Sequence, residues 1–420
     1  MATLRNSSLA FIGPLLPLVA LAQFHGELRC EHKAEWNEKD SDQDCYQYLS
    51  VETRRGRYNG ALLFRLKEDI DGSSGPFCDI DDRNEHVEER LYYGYIELFN
   101  LLLRQDIRLG RQYFYGLDNV AHFDGATFMG EQPEIHLSYQ GIFGKPVSFY
   151  SGIHGEWLMG GAVSYFPARW LGLKGDYLIL KEKHPKLEED SFAAGLILKL
   201  PAHVDVWSSL QWVNSSTQDL TFALRWTPRD KGLSGGLSFR RLLHPSEFKT
   251  RVHSTYYHLI GTYLPFYNLA GDLQVQLSET VFLGAGFVYR DVLGGNGDNL
   301  NHEFFDPCLS LIMENLLFAR SRWELDLDFW LEGDDRRWDL GGSWRQSFGA
   351  WSWFRIGSGY SKYKYDDERD IEREGIYSVY AKLHYAFAHG FALGLHGEVQ
   401  DGESESEPTW LTRSSLGWSW

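Results

Sequence analysis

Residues 322–344 read RWELDLDFWLEGDDRRWDLGGSW. Trp323, Leu325, Leu327, Phe329 and Leu331 occupy one parity, and Glu324, Asp326, Asp328 and Glu332 the other. A repeat of two is that of a β-strand, whose successive side chains leave on opposite faces. The chain then turns through Glu332-Gly333-Asp334-Asp335-Arg336 and alternates again. One face calls for an apolar medium and the other for water or counter-charge. An antiparallel sheet over a soluble core meets both demands, and so does a barrel in a membrane.

The N-terminal residues bear on the compartment. A basic start at Arg5, an apolar run from Leu9 to Ala22 and the Ala20-Leu21-Ala22 ending predict a secretory signal peptide over 1–22, cleaved before Gln23. The run is too short for a membrane anchor and holds Pro14 and Pro17. Beyond it no stretch approaches the ~18 apolar residues of a membrane helix. Mean hydropathy is -0.36, yet 15% of residues are aromatic and 42 are glycine, which together point to a large all-β protein. The net charge of -17 argues against nucleic acid as a partner, because a phosphate binder needs a basic footprint.

Reading back from the C-terminus separates the two architectures. In TWLTRSSLGWSW, Leu416, Trp418 and Trp420 share one parity, opposite Ser415, Gly417 and Ser419. This resembles the last strand of bacterial outer-membrane barrels, where a terminal aromatic is read by the insertion machinery. Going upstream, the connections alternate long and short: Gln400–Pro408, Phe387–Gly390, Tyr365–Gly375, Ser347–Ala350, then an intermediate 332–336, Leu316–Arg320 and Leu293–Glu303. Long outer loops and tight inner turns are the habit of outer-membrane barrels. Residues 23–420 are therefore predicted to form a transmembrane antiparallel β-barrel, with room for roughly 16–20 strands around an aqueous channel.

A further resemblance lies in IRLGRQYFYGLDNVAHFDGATF, Ile107–Phe128. Gly110-Arg111-Gln112 followed by Asp124-Gly125 is similar to a stretch in outer-membrane porins, among them alginate-export-type channels and the barrels of porin–cytochrome conduits. The resemblance implies a porin-like fold and passive passage of small hydrophilic solutes or ions in the outer membrane of a Gram-negative bacterium. Strict alternation sets Arg111 beside Ile107 and Leu109 on the lipid parity, so either a bulge rotates it or it sits near a rim.

Other chemistry is sparse. Gly232-Leu233-Ser234-Gly235-Gly236 matches a serine-hydrolase elbow, but that motif must join a strand to a helix, and here the residues read as a turn into another strand. An outer-membrane lipase is accordingly the weakest reading. The acids of Asp69–His86 and of 294–301 lack the spacing of a calcium loop and read as solvated connections. His32, His86 and His122 are scattered single histidines. Cys30, Cys45, Cys78 and Cys308 form no CxxC pair; Cys30 with Cys45 is the nearest possible bridge, and free thiols are the equal alternative. No catalytic residue, cofactor or metal is assigned.

The wet parity supplies candidate lumen residues: Arg65, Lys67, Arg108, Glu324, Asp326, Asp328, Lys382, His384 and Glu398. Charged rings select ions by sign, and the acids of 324–328 lead to an expected weak cation preference. The partners implied are outer-membrane lipid and the barrel-insertion machinery. A homo-oligomer is also compatible, and a second reading makes the barrel a sheath around a multihaem cytochrome.

Overall fold

The computed structural model describes residues 24–37, 41–56, 58–69, 87–102, 105–147, 154–184, 187–228, 232–244, 264–294, 303–332, 335–366, 371–402 and 407–420. The expected signal peptide, Cys78 and most of the two acidic stretches fall outside them. The described residues form strands, joined by turns and three short 3-10 segments. The strands are β1 (Phe24–Trp36), β2 (Ser41–Arg55), β3 (Tyr58–Asp69), β4 (Val87–Leu102), β5 (Gln105–Tyr115) and β6 (Val120–Gln132). Next come β7 (Leu137–Pro146), β8 (His154–Ala168), β9 (Leu171–His184), β10 (Leu187–Leu200), β11 (Val204–Val213) and β12 (Ser216–Trp226). They are followed by β13 (Leu233–Leu242), β14 (Phe266–Ser278), β15 (Val281–Val292), β16 (Phe304–Glu314) and β17 (Ser321–Glu332). The last five are β18 (Asp335–Ser347), β19 (Trp353–Asp366), β20 (Ile371–Ala386), β21 (Phe391–Gly402) and β22 (Thr409–Ser419).

Each strand pairs antiparallel with its sequence neighbours, and β1 pairs with β22 from Glu27↔Ser419 to Trp36↔Trp410. The sheet is thus a closed barrel of 22 strands with no free edge. That exceeds the range read from length, because many connections take almost no chain. Two residues suffice between β8 and β9, β11 and β12, and β14 and β15. Strands of up to 16 residues outrun the 9–11 needed to cross a bilayer. Part of what reads as the Tyr365–Gly375 loop is in fact strand, since β19 runs to Asp366 and β20 starts at Ile371.

Every connection at one rim has six residues or fewer, whereas the long ones, 70–86, 147–153, 243–265 and 293–303, all leave the other. The long-loop rim is the outer one in such barrels.

In the opening hairpin, Trp323↔Trp344, Leu327↔Leu340 and Phe329↔Trp338 pair on one face, and Glu324↔Ser343 and Asp328↔Asp339 on the other. Leu325, Phe329, Trp338 and Leu340 are exposed on the outer surface of the barrel. Leu416, Trp418 and Trp420 are exposed on the same outer surface. Trp420 exchanges backbone hydrogen bonds with Gly26 at 3.0 and 3.2 Å. Its ring lies where a Cβ on Gly26 would stand. Cys30, Cys45 and Cys308 are free thiols; Cys30 pairs with Gln47 and Cys45 with His32, so the two are offset on the outer face.

Candidate functional site: a hairpin folded into the lumen

A ring of 22 strands about 4.8 Å apart, tilted by roughly 40°, is on the order of 40 Å across. The β5–β6 hairpin reaches into this space. β5 follows β4 in register only as far as Gly94↔Arg111, although β4 continues alongside β3 to Val87. Gly110 sits at φ +127°, and a Cβ there would overlap the Gly94 carbonyl. Its cross-strand partners are Gly125 and, beyond it, Gly144, each pressed equally close to neighbouring backbone. Three glycines in a row across three strands make a crease, because only residues without a Cβ let the sheet bend this sharply.

Beyond the crease β5 parts from β4, and the hairpin, with β6 still paired to the end of β7 through Phe123↔Pro146, folds over the inner face of β7–β9. Phe114, Ala121 and Phe123 pack there against Ile142, Leu158, Leu178 and Leu180, the only buried apolar cluster among the described residues. The inner face is therefore apolar and covered in this sector. Tyr115 and Val120, on the lipid parity of their strands, remain exposed on the tip of the folded-in hairpin.

Polar groups fix the crease and the tip. Arg111 forms a fork with Asp124 through two hydrogen bonds of 2.8 Å and donates to the Leu91 carbonyl at 3.2 Å. It is the last residue of β5 in register with β4, opposite Gly94, and its head group is taken up by Asp124 and by the Leu91 carbonyl, beside the register shift of β4 between Leu63↔Tyr93 and Phe64↔Leu91. Gln112 is buried, donating to the Gly125 carbonyl at 3.0 Å and accepting from Thr127 at 2.7 Å, so it staples the two arms together. His122 stacks on Tyr113 at 4.2 Å, and its Nε2 lies 2.8 Å from the Tyr92 carbonyl.

At the tip, the buried Asp176 carboxylate of β9 accepts the backbone N–H groups of Leu117, Asp118 (3.1 Å) and Asn119 (3.3 Å), plus Asn119 Nδ2 at 2.7 Å. From β11, Ser209 donates to Asp118 at 3.2 Å and Gln211 to Asn119 at 3.3 Å. The hairpin thus spans from β5–β6 to β11. A recess of about 500 Å³ beside it is lined by Glu97, Asp106, Tyr115, Met129 and Gln140.

The sequence-nominated charges all lie on the inner parity. Lys67 meets Asp44 at 3.5 Å. Arg65 lies over the Tyr46 and Tyr92 rings. Arg108 meets Glu97 at 3.0 Å and lies over Tyr95. Glu324 is gripped by Arg322 at 2.6 Å and Arg355 at 2.7 Å, which weakens the acidic row expected on β17. Asp326 and Asp328 have no ion-pair partner among the described residues. Lys382 lies over Tyr380, His384 stacks on Trp353, and Glu398 meets His396 at 3.4 Å. The sequence reading missed Asp176, whose role depends on a contact 57 to 59 residues away. Among the described residues no cluster of His, Cys, Asp or Glu could hold a metal. Ser234 pairs with Gln274 inside the sheet, in strand and not in a strand–helix elbow.

No family model matches the sequence, and no curated protein is similar to it. Solved structures are similar in fold. The P pilus usher translocation pore PapC shares 9% identity over 94% of this chain and 99% of its own, with a TM-score of 0.51. The siderophore receptor PirA of Pseudomonas aeruginosa shares 11% over 94% of this chain and 80% of its own, with a TM-score of 0.59. OccK11 (OpdR) of P. aeruginosa shares 12% over 95% of both chains, with a TM-score of 0.38. In fold, then, this chain is a closed barrel of 22 antiparallel β-strands, similar in architecture to these solved barrels, with one of its own hairpins folded against its inner face.

Proposed function

We propose that the protein is a channel of a Gram-negative outer membrane, exported through its N-terminal signal peptide, which passes small hydrophilic solutes or ions without chemical conversion. The observation that carries this reading is the closed barrel whose inner parity is charged and whose lumen is narrowed by the folded-in hairpin. A tethered constriction gives a wide pore a size limit. The sheath reading is weaker, because the hairpin takes interior space that a cytochrome would need. A lipase reading finds no support in the strand position of Ser234.

The test is electrical. Purified barrel added to a planar bilayer should give discrete conductance steps. A folded, heat-modifiable barrel that never conducts would overturn the channel reading and bring the sheath forward.

A further inference from the structure

Six lysines and arginines and one histidine stand in direct cross-strand register on seven consecutive strands: Arg322↔Arg345↔Arg355↔Lys382↔His396↔Arg413↔Lys33, from β17 through β22 to β1. All lie on the inner parity. The row ends in an acid on each side, with Glu314 opposite Arg322 and Asp44 opposite Lys33. Like charges placed directly opposite destabilise a sheet, so packing alone gives no reason for such a row.

The row also climbs. Arg322 is the second residue of β17 from the short-turn rim, and Lys382 the fifth of β20. Lys33 stands tenth in β1, near the long-loop rim, where it is buried and closes the row. Pairing runs perpendicular to tilted strands, so a row in direct register must spiral along the barrel axis. This one leads from one mouth toward the other, with rungs about 4.8 Å apart.

Its charges are only partly answered. Glu314 and Glu324 engage Arg322, Glu324 also engages Arg355, and Glu398 engages His396. Arg345, Lys382 and Arg413 have no carboxylate within ion-pair distance among the described residues. Arg345 lies over Trp353 at 4.6 Å and Lys382 over Tyr380 at 5.0 Å. An aromatic face positions a cationic head without cancelling its charge.

We propose that this row is a track for anionic solutes bearing carboxylate or phosphate groups, which step between rungs as they cross. The inference rests on the channel reading and gives it a substrate class. Guanidinium groups bind both kinds of oxyanion in forked geometry. A series of weak sites in reach of one another favours conduction over trapping. In a chain of net charge -17 the row supplies locally the sign that the whole molecule lacks. The track outweighs the half-neutralised acids of β17, so the cation preference expected from those acids is replaced by an anion preference.

The experiment is the reversal potential of the purified barrel across a KCl gradient, repeated with potassium glutamate and potassium phosphate. The native protein should favour the anion. Glutamate carried better than phosphate would identify carboxylates as the preferred class, and the reverse order would identify phosphates. The triple variant Arg345→Gln, Lys382→Gln, Arg413→Gln should bring the anion-to-cation permeability ratio to unity or below. Lys199→Gln with Arg225→Gln, inner-face bases off the row, should change it less. Heat-modifiable mobility confirms that each variant folds. A native barrel that conducts but favours cations sinks the track, as does a folded triple variant with unchanged selectivity. Absence of any conductance is a separate result, which strikes the channel reading itself.

Discussion

At the scale of single residues, Asp176 carries more than any charge nominated from sequence. One buried carboxylate on β9 accepts three backbone N–H groups and an amide, and so holds the turn between β5 and β6, which begins four strands earlier. Replacing it with Ala strips these donors of their acceptor, a loss of about 2–3 kcal/mol at the tip. Amide exchange at Leu117–Asn119 should then rise more than tenfold, while heat-modifiable mobility stays intact. Unchanged exchange would mean that Phe114 and Phe123 hold the hairpin unaided. Leu327 tests the wall in the same way. Leu327→Arg sets a charge in hydrocarbon at ~2–4 kcal/mol, whereas Asp326→Asn on the wet face should leave folding nearly unaltered. Denaturant titration in lipid bilayers distinguishes the two, and equal damage would contradict the assigned faces.

At the scale of elements, two hairpins show what the sequence made legible. β17–β18 could be read from Trp323 to Trp344 because lipid on one side and water on the other force a strict alternation. β5–β6 could not. Past the crease both of its faces lie inside the barrel, so Tyr115 and Val120 look lipid-facing by parity and are lumenal in fact. The stretch from Gly110 to Gly125 was singled out by resemblance, but its purpose is visible only with the register that lines up Gly110, Gly125 and Gly144. The basic row was hidden for the same reason. Each member sits at an ordinary wet position, and only pairing joins Arg322 to Lys33. Gly125→Val should drive side-chain atoms into the Phe143 carbonyl and straighten or break the crease. The expected result is a folded barrel with larger conductance steps, or loss of assembled barrel if the crease is needed for closure. A variant with native step size would show that the bend does not depend on the glycines.

At the scale of the whole molecule, closure depends on the seam between β1 and β22, where Trp420 covers Gly26 and exchanges two hydrogen bonds with it. Removing Trp418–Trp420, or replacing Trp420 with Ala, should reduce the heat-modifiable form in outer-membrane fractions and leave unassembled chain for degradation. Normal assembly of the truncated chain would overturn the assembly role of the last strand. The β-class and the two-rim arrangement were both present in the sequence as alternation and loop length. The strand count was not, since turns of two residues leave almost no mark between long strands. The hairpin adds a consequence of its own. It is joined to the wall through both arms, so it cannot depart as a separate plug could. Release and return of its tip are then a unimolecular exchange within each barrel, independent of protein concentration and of any added component. A single barrel held at constant voltage should produce telegraph noise, two current levels with exponentially distributed dwell times, and Asp176→Ala should lengthen the dwells at the higher level.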